Sequence, residues 1–199
     1  MSLVRVRVYI HRECRSSVGF LSVMKISLVR LPKDGLKFDH RYADGELDLT
    51  GRDFEIATPV TISGRLDRTG VEVRMRCSLQ TALHCPCDRC LRDIVLPVDL
   101  PLDLIYLPVG LDNQRSGEIE LNGRDLDSSV YENEEIDLDA MVIEQLELSI
   151  PLRLVCREDC RGLCPQCGID LNAEECNCEA PIDPRWEILR SSGAEPEKT

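Results

Sequence analysis

Six cysteines fall in the 23 residues from Cys156 to Cys178, more than half of the 11 in this 199-residue chain. Thiolates packed so densely need a common reason to be near one another, and the local spacing points to a metal. Cys164-Pro165-Gln166-Cys167-Gly168 has the form of a zinc knuckle. Two thiolates three positions apart on a tight turn take one edge of a tetrahedron, and the following glycine supplies the positive φ that such a turn demands. Cys176 and Cys178 begin nine positions beyond Cys167 and are placed to close the site.

A second CxxC lies some seventy residues earlier, in Cys85-Pro86-Cys87-Asp88-Arg89-Cys90. Cys77 sits on the apolar parity of a strand and reads as a core thiol. With Cys14, Cys77 and Cys85 set aside, eight cysteines remain, enough for two closed four-thiolate sites of structural zinc. The preferred pairing joins Cys164 and Cys167 to Cys176 and Cys178, and Cys87 and Cys90 to Cys156 and Cys160. Spacing leaves two alternatives open: a single tail site with Cys87 and Cys90 as a free pair, or Cys85 in place of Cys87. No ligand set keeps an open position beside a general base, so the expected zinc is structural. His11, His40 and His84 fall outside the pattern; His40 reads as surface polar and His84 as the end of a strand.

An odd cysteine count, CxxC pairs and no secretory signal together point to reduced thiols in the cytoplasm. No apolar run reaches the 18 residues of a spanning helix, so a soluble protein is expected. Cys87 and Cys90 lie in a hairpin rather than at the helix N-terminus of a βαβ unit, which disfavours a thiol oxidoreductase. There is no Gly-rich phosphate loop, nucleophile elbow or His-x-x-x-His pair, so neither an enzyme nor a small-molecule substrate is indicated.

Along the chain, the expected fold is α+β, mainly an antiparallel β-sheet with one or two short helices and a C-terminal cysteine-rich module of zinc-ribbon type. Residues 1–23 read as a disordered extension or an upstream mis-start, 24–150 as the β-rich domain, 151–190 as the zinc module and 191–199 as a frayed tail. The core must be aliphatic, since 43% of residues are hydrophobic but only 4% aromatic. Val60, Ile62 and Leu66 share one parity, and Val71 through Leu83 alternate against Glu72, Arg74, Arg76 and Gln80; Asp67-Arg68-Thr69-Gly70 reads as the turn between them. Leu91 to Leu107 alternates less cleanly, and Pro97 and Pro101 suggest an edge or bent strand. Residues 108–135 read as an acidic loop around a short strand near Glu118–Leu121. Asp139 is read as the N-cap of a helix from Ala140 to about Ser149, stopped by Pro151, with Met141, Ile143, Leu146 and Ile150 as its stripe. A further helical turn is expected after Pro184.

Net charge is -12 and the pI about 4.7, against non-specific nucleic-acid binding by the whole molecule. The charge is uneven. Arg65, Arg68, Arg74, Arg76, Arg89 and Arg92 face only three acids within their span, whereas twelve acids accompany two arginines from Asp112 to Glu147. The arginine segment is the one candidate nucleic-acid contact; the acidic stretch suits a basic protein.

These motifs occur in a familiar order. Cys87-Asp-Arg-Cys90-Leu91 follows a hairpin, Ile136-Asp137-Leu138 enters a helix, and Pro151 leads into Cys160-Arg-Gly-Leu-Cys164-Pro-Gln-Cys167-Gly-Ile-Asp-Leu-Asn172. Cys176-Asn-Cys178 and Asp183-Pro-Arg185-Trp-Glu-Ile-Leu189 complete it. From about residue 24 to 190 the chain resembles the bacterial and plastid YceD family, linked to accumulation of large-subunit ribosomal RNA. The resemblance implies a cytoplasmic, non-catalytic factor in 23S rRNA processing or large-subunit assembly. Its partners would be the 23S rRNA precursor or large-subunit ribosomal proteins, with Cys87, Cys90 and the tail cysteines as a structural metal set. A zinc-stabilised adaptor in another pathway, such as transcription, is the competing reading.

Overall fold

The computed structural model describes residues 13–14, 22–109 and 128–178. Of these, the residues up to Cys85 and from Asp93 to Leu152 form one compact unit, and Pro86–Arg92 with the residues from Arg153 onward form a second. The segment expected to be a strand near Glu118–Leu121, the helical turn after Pro184 and the tail from 191 lie outside the described residues. So does most of 1–23, within which β1 (Glu13–Cys14) pairs antiparallel with β2 (Ser22–Val23).

The first unit is built on a five-stranded sheet in the order β4 (Leu36–Arg41), β5 (Glu55–Thr69), β6 (Glu72–Pro86), β7 (Asp93–Pro108) and β8 (Ser128–Tyr131). β4, β5 and β6 are antiparallel neighbours. The side-chain pairs Arg74–Asp103, Gln80–Asp99 and His84–Asp93 run in opposite directions along β6 and β7, as antiparallel neighbours do. β8, however, joins β7 in parallel, so the sheet is mixed and not a pure meander. Pro97 and Pro101, which lack an N–H, fall where β8 no longer covers β7, on an edge without a strand partner among the described residues.

Alternation dictates the core. Val60, Ile62 and Leu66 of β5 and Val73, Met75, Cys77, Leu79 and Leu83 of β6 are all buried on one face. Gly64 continues that parity opposite Cys77. A Cβ there would stand 2.4 Å from the Arg76 carbonyl oxygen and 2.4 Å from the Cys77 Cβ, so only glycine lets the strands approach. The hairpin turns later than the sequence suggests. Thr69 pairs with Glu72, leaving Gly70-Val71 as a two-residue loop with φ +64° at the glycine, the pattern of a type II′ turn that suits strand twist. β5 also starts earlier, at Glu55, because register shifts between Ile56 and Thr61 accommodate Pro59.

β3 (Lys25–Ser27) pairs with β9 (Glu135–Asp137) in a separate two-stranded sheet, and β9 runs directly into α1 (Leu138–Ser149). The helix is capped by Asp137, whose carboxylate accepts from the Ala140 N–H at 2.9 Å, and not by Asp139. Asp139 lies in the first turn and is buried. It accepts from the Met24 N–H at 2.7 Å and from the Tyr42 hydroxyl at 2.9 Å. Leu138, Met141, Val142 and Leu146 are the buried apolar residues of the helix, and Ile150 and Pro151 end it. Ile143 is only half-buried, because the buried stripe runs through Val142.

Candidate metal centres

The second unit has little apolar substance, and its order comes from cysteines and turns. In the loop joining β6 to β7, the Cys87 N–H donates to Arg92 O at 2.9 Å and the Leu91 N–H to Cys87 O at 2.9 Å, with Leu91 at φ +59°. The Asp88 N–H donates to Leu154 O and its carboxylate accepts from the Leu154 N–H, tying this loop to the chain that carries Cys156. The Arg89 guanidinium donates to Cys160 O at 2.5 Å, while Arg89 O accepts from the Leu163 N–H at 3.0 Å. Gly162, at φ +77°, passes so close that a Cβ would lie 2.9 Å from Arg89 O. These bonds bring four sulfurs within 4.8 Å of one another, those of Cys87, Cys90, Cys156 and Cys160.

The other quartet comprises Cys164, Cys167, Cys176 and Cys178, again within 4.8 Å. Its knuckle repeats the first turn. The Gly168 N–H donates to Cys164 O at 2.9 Å, as Leu91 does to Cys87, and Gly168 takes φ +74°. The Gln166 N–H points at the Cys164 sulfur at 3.4 Å, and the Cys164 N–H donates to Ile169 O at 2.8 Å. No atom lies within 4 Å of where a Gly168 Cβ would stand. Gly168→Ala is therefore expected to act through backbone strain alone, costing about 1 kcal/mol. Chelator competition should read this as a several-fold loss of metal affinity.

The donor sets fit a tetrahedral divalent cation. A Zn–S bond of about 2.3 Å gives a sulfur–sulfur edge of about 3.8 Å, and Cys90–Cys156 and Cys87–Cys160 stand at 3.7 and 4.0 Å. The protonation landscape agrees. Burial opposes ionisation of Cys87, but the backbone N–H groups of Cys90, Arg89 and Cys156 outweigh it and hold the thiol down to about 6. Cys164 is held to about 6 by the N–H groups of Cys167 and Gln166 and then by Cys176. Cys156 is pushed up to about 12 by burial and by its thiol neighbours, and Cys178 to about 12 chiefly by Cys167. Burial opposes ionisation of Cys160 too, but Asn172 and the Gly162 N–H hold it below its ordinary value. Each quartet thus favours charge at some sulfurs and resists it at others, a conflict that a bound cation resolves.

Asn172 braces the Cys160 end of the first quartet. Its Nδ2 donates to the Cys160 sulfur at 3.4 Å, and its Oδ1 accepts from the Arg161 N–H and from Arg157, both at 2.8 Å. Asp170 fixes it by accepting from the Asn172 N–H at 2.9 Å. The only sequence signal for this role is its place behind the knuckle, two positions after Asp170.

Cys77 is buried in the sheet, where burial raises its thiol to about 11; Cys85 is buried in the same unit and belongs to neither quartet. Among the described residues no histidine joins either group. His84 pairs with Asp93 at 2.6 Å. His40 is not simply surface polar: it packs edge-on against Tyr42 with its Nε2 3.4 Å from Glu46.

The six arginines separate. Arg65, Arg74 and Arg76 line a surface concavity of about 480 Å³ with Asp67, Thr69 and Glu72. Arg65 and Arg76 oppose each other across β5 and β6, and Asp67 bridges them at 2.7 and 2.9 Å. Those two contacts hold its carboxyl below the usual range, as Arg74 does for Asp103. Arg68 is bidentate to Glu134 and also donates to Leu28 O. Arg89 braces Cys160, and Arg92 reaches Asp170 at 3.4 Å.

Residues 75–191 match the family described as "Large ribosomal RNA subunit accumulation protein YceD". The chain belongs to the YceD family. An uncharacterized protein of Mycobacterium tuberculosis is 39% identical over 104 residues, 52% of this chain and 47% of that relative. The chain thus matches about half the length of its mycobacterial relatives. YlbN of Bacillus subtilis, also uncharacterized, is 27% identical over 164 residues, 81% of this chain and 90% of YlbN. The chloroplastic "Large ribosomal RNA subunit accumulation protein YCED homolog 1" of Arabidopsis thaliana is 26% identical over 149 residues, 64% of this chain and 46% of the homologue. No solved structure matches. Among the described residues no helix is long and apolar enough to cross a membrane.

Proposed function

We propose that this YceD protein is a non-catalytic, cytoplasmic factor in 23S rRNA accumulation and large-subunit assembly, with both cysteine quartets holding structural zinc. The observation that carries the reading is the family match, supported by the name of the Arabidopsis relative. Zinc is favoured over other ions because four thiolates at tetrahedral spacing are its ordinary closed structural site. Depletion followed by gradient sedimentation tests the role: the 50S pool and 23S rRNA should fall, and an unchanged 50S pool would remove the assembly reading in favour of an adaptor elsewhere.

The candidate rRNA contact is the concavity of Arg65, Arg74 and Arg76. Phosphates would displace Asp67 and Asp103 from their guanidinium partners, so binding should be weak and strongly salt-dependent. Binding to 23S fragments is expected to weaken with salt at roughly -0.7 to -0.9 log units of affinity per phosphate contacted, per log unit of salt. Replacing the three arginines with glutamine should flatten that slope by about two units. A slope near zero in the unaltered chain would move the contact to a basic ribosomal protein, the reading that the net charge of -12 favours.

A further inference from the structure

We infer that the quartet of Cys164, Cys167, Cys176 and Cys178 is an oxidation site, at which a hydroperoxide joins Cys167 to Cys178 while the other quartet stays reduced. The inference rests on the metal reading above for its consequence, release of one cation, but its chemistry lies in the thiols. The two quartets share a ligand set and differ in access. Cys87, Cys90 and Cys160 are buried and only Cys156 is part-exposed; in the other quartet Cys164 alone is buried, Cys176 is part-exposed, and Cys167 and Cys178 are exposed. Oxidant susceptibility follows thiolate character and exposure, so the accessible quartet reacts first.

Exposure selects the pair. All four sulfurs of this quartet lie within 4.8 Å of one another, but only Cys167 and Cys178 are exposed. An S–S bond of about 2.05 Å asks these two side chains to rotate toward each other, and both are exposed. The buried quartet lacks that freedom. The Cys156 N–H and Asn172 Nδ2 donate to its sulfurs, and Arg89 and Asp88 lace its two segments together.

The step balances with hydrogen peroxide as the oxidant. The Cys167 and Cys178 thiols give up two electrons and two protons and form the S–S bond, while the O–O bond breaks and the two protons complete two waters. The quartet then retains only two thiolates, too few to hold a tetrahedral cation. A thiol reductant reverses the step. The YceD fold would thereby carry one permanent clamp, at the loop between β6 and β7, and one that opens under oxidative stress.

The test uses the full-length chain as purified under reducing conditions. Elemental analysis comes first: fewer than two zincs per chain would sink the two-site metal reading, whatever the oxidant does. Peroxide is then added with a chromogenic zinc chelator, and disulfides are mapped by mass spectrometry over time. One zinc equivalent should leave together with formation of a Cys167–Cys178 disulfide, with dithiothreitol restoring the thiols. The second should leave at least about tenfold more slowly. Equal release of both equivalents, no release, or first oxidation among Cys87, Cys90, Cys156 and Cys160 would overturn the inference. Mapping reads the order of oxidation even in a metal-poor preparation, so the two failures remain distinct.

Discussion

Cys87→Ser in the full chain is expected to remove one of two zinc equivalents, and Cys164→Ser the other. The two substitutions strike different quartets, since Cys87 lies 4.0 Å from Cys160 whereas Cys164 groups with Cys167, Cys176 and Cys178. The consequence for order should be large in both cases. Buried side chains in the second unit are almost entirely cysteines, namely Cys87, Cys90, Cys160 and Cys164. Such a segment lacks the apolar area to offset chain entropy, and a structural zinc contributes roughly 10–16 kcal/mol of apparent binding free energy that becomes folding free energy. Cys87→Ser should therefore leave residues 153–163 open to protease while the sheet unit, with its own core from Val60 to Leu146, and the separate Cys164–Cys178 quartet stay resistant. One zinc per chain, unaffected by Cys87→Ser, would overturn the pairing.

The CxxC turns themselves were legible because their spacing is local, whereas spacing left open whether Cys87 and Cys90 meet Cys156 and Cys160, which lie some seventy residues on. CxxC turns announce themselves in sequence, and both have the same closing bond from the fifth residue to the first carbonyl. What spacing did not reveal is that Leu91 takes the positive φ that Gly168 takes in the other turn. The long strands were legible for a similar reason: Val73, Met75, Cys77, Leu79 and Leu83 share a parity and all face the core. Elements whose stability is non-local were not. β8 has four residues and exists because Ile105–Pro108 offers it a parallel edge; β9 has three and exists because β3 pairs with it. The arginines show the same limit. Their run in sequence reads as a basic patch, yet Arg74 meets Asp103 and Arg68 meets Glu134, acids 29 and 66 residues away.

Asp139 is the clearest case of a residue whose role depends on distant partners. The sequence reads Asp139 as the cap of α1, and the structure gives the cap to Asp137. Asp139 instead fastens the start of β3 and the end of β4 to the helix through Met24 and Tyr42. Asp139→Ala would strand a buried N–H and a buried hydroxyl, and the sheet unit is expected to lose roughly 2–4 kcal/mol in urea unfolding. Asp139→Asn should be far milder, because an amide oxygen can accept from Met24 while its NH₂ donates to the Tyr42 oxygen. The two variants also separate charge from shape. Burial raises the Asp139 carboxyl above its ordinary value, against the opposing bonds from Met24 and Tyr42, and Asp137 and Glu46 raise it further. A folded-state value above the unfolded one means the native state holds the proton longer. The contribution of Asp139 is thus full below the ordinary carboxylate range and is lost as pH rises through the raised value. Asp67, Asp103 and Asp170 are shifted down and act in the opposite sense, so the whole protein still weakens in acid. The difference between wild type and Asp139→Asn isolates the one group: wild type should lose ground to the variant as pH rises from about 4 toward neutrality. A constant difference across that range would show that Asp139 keeps an ordinary carboxyl in the fold.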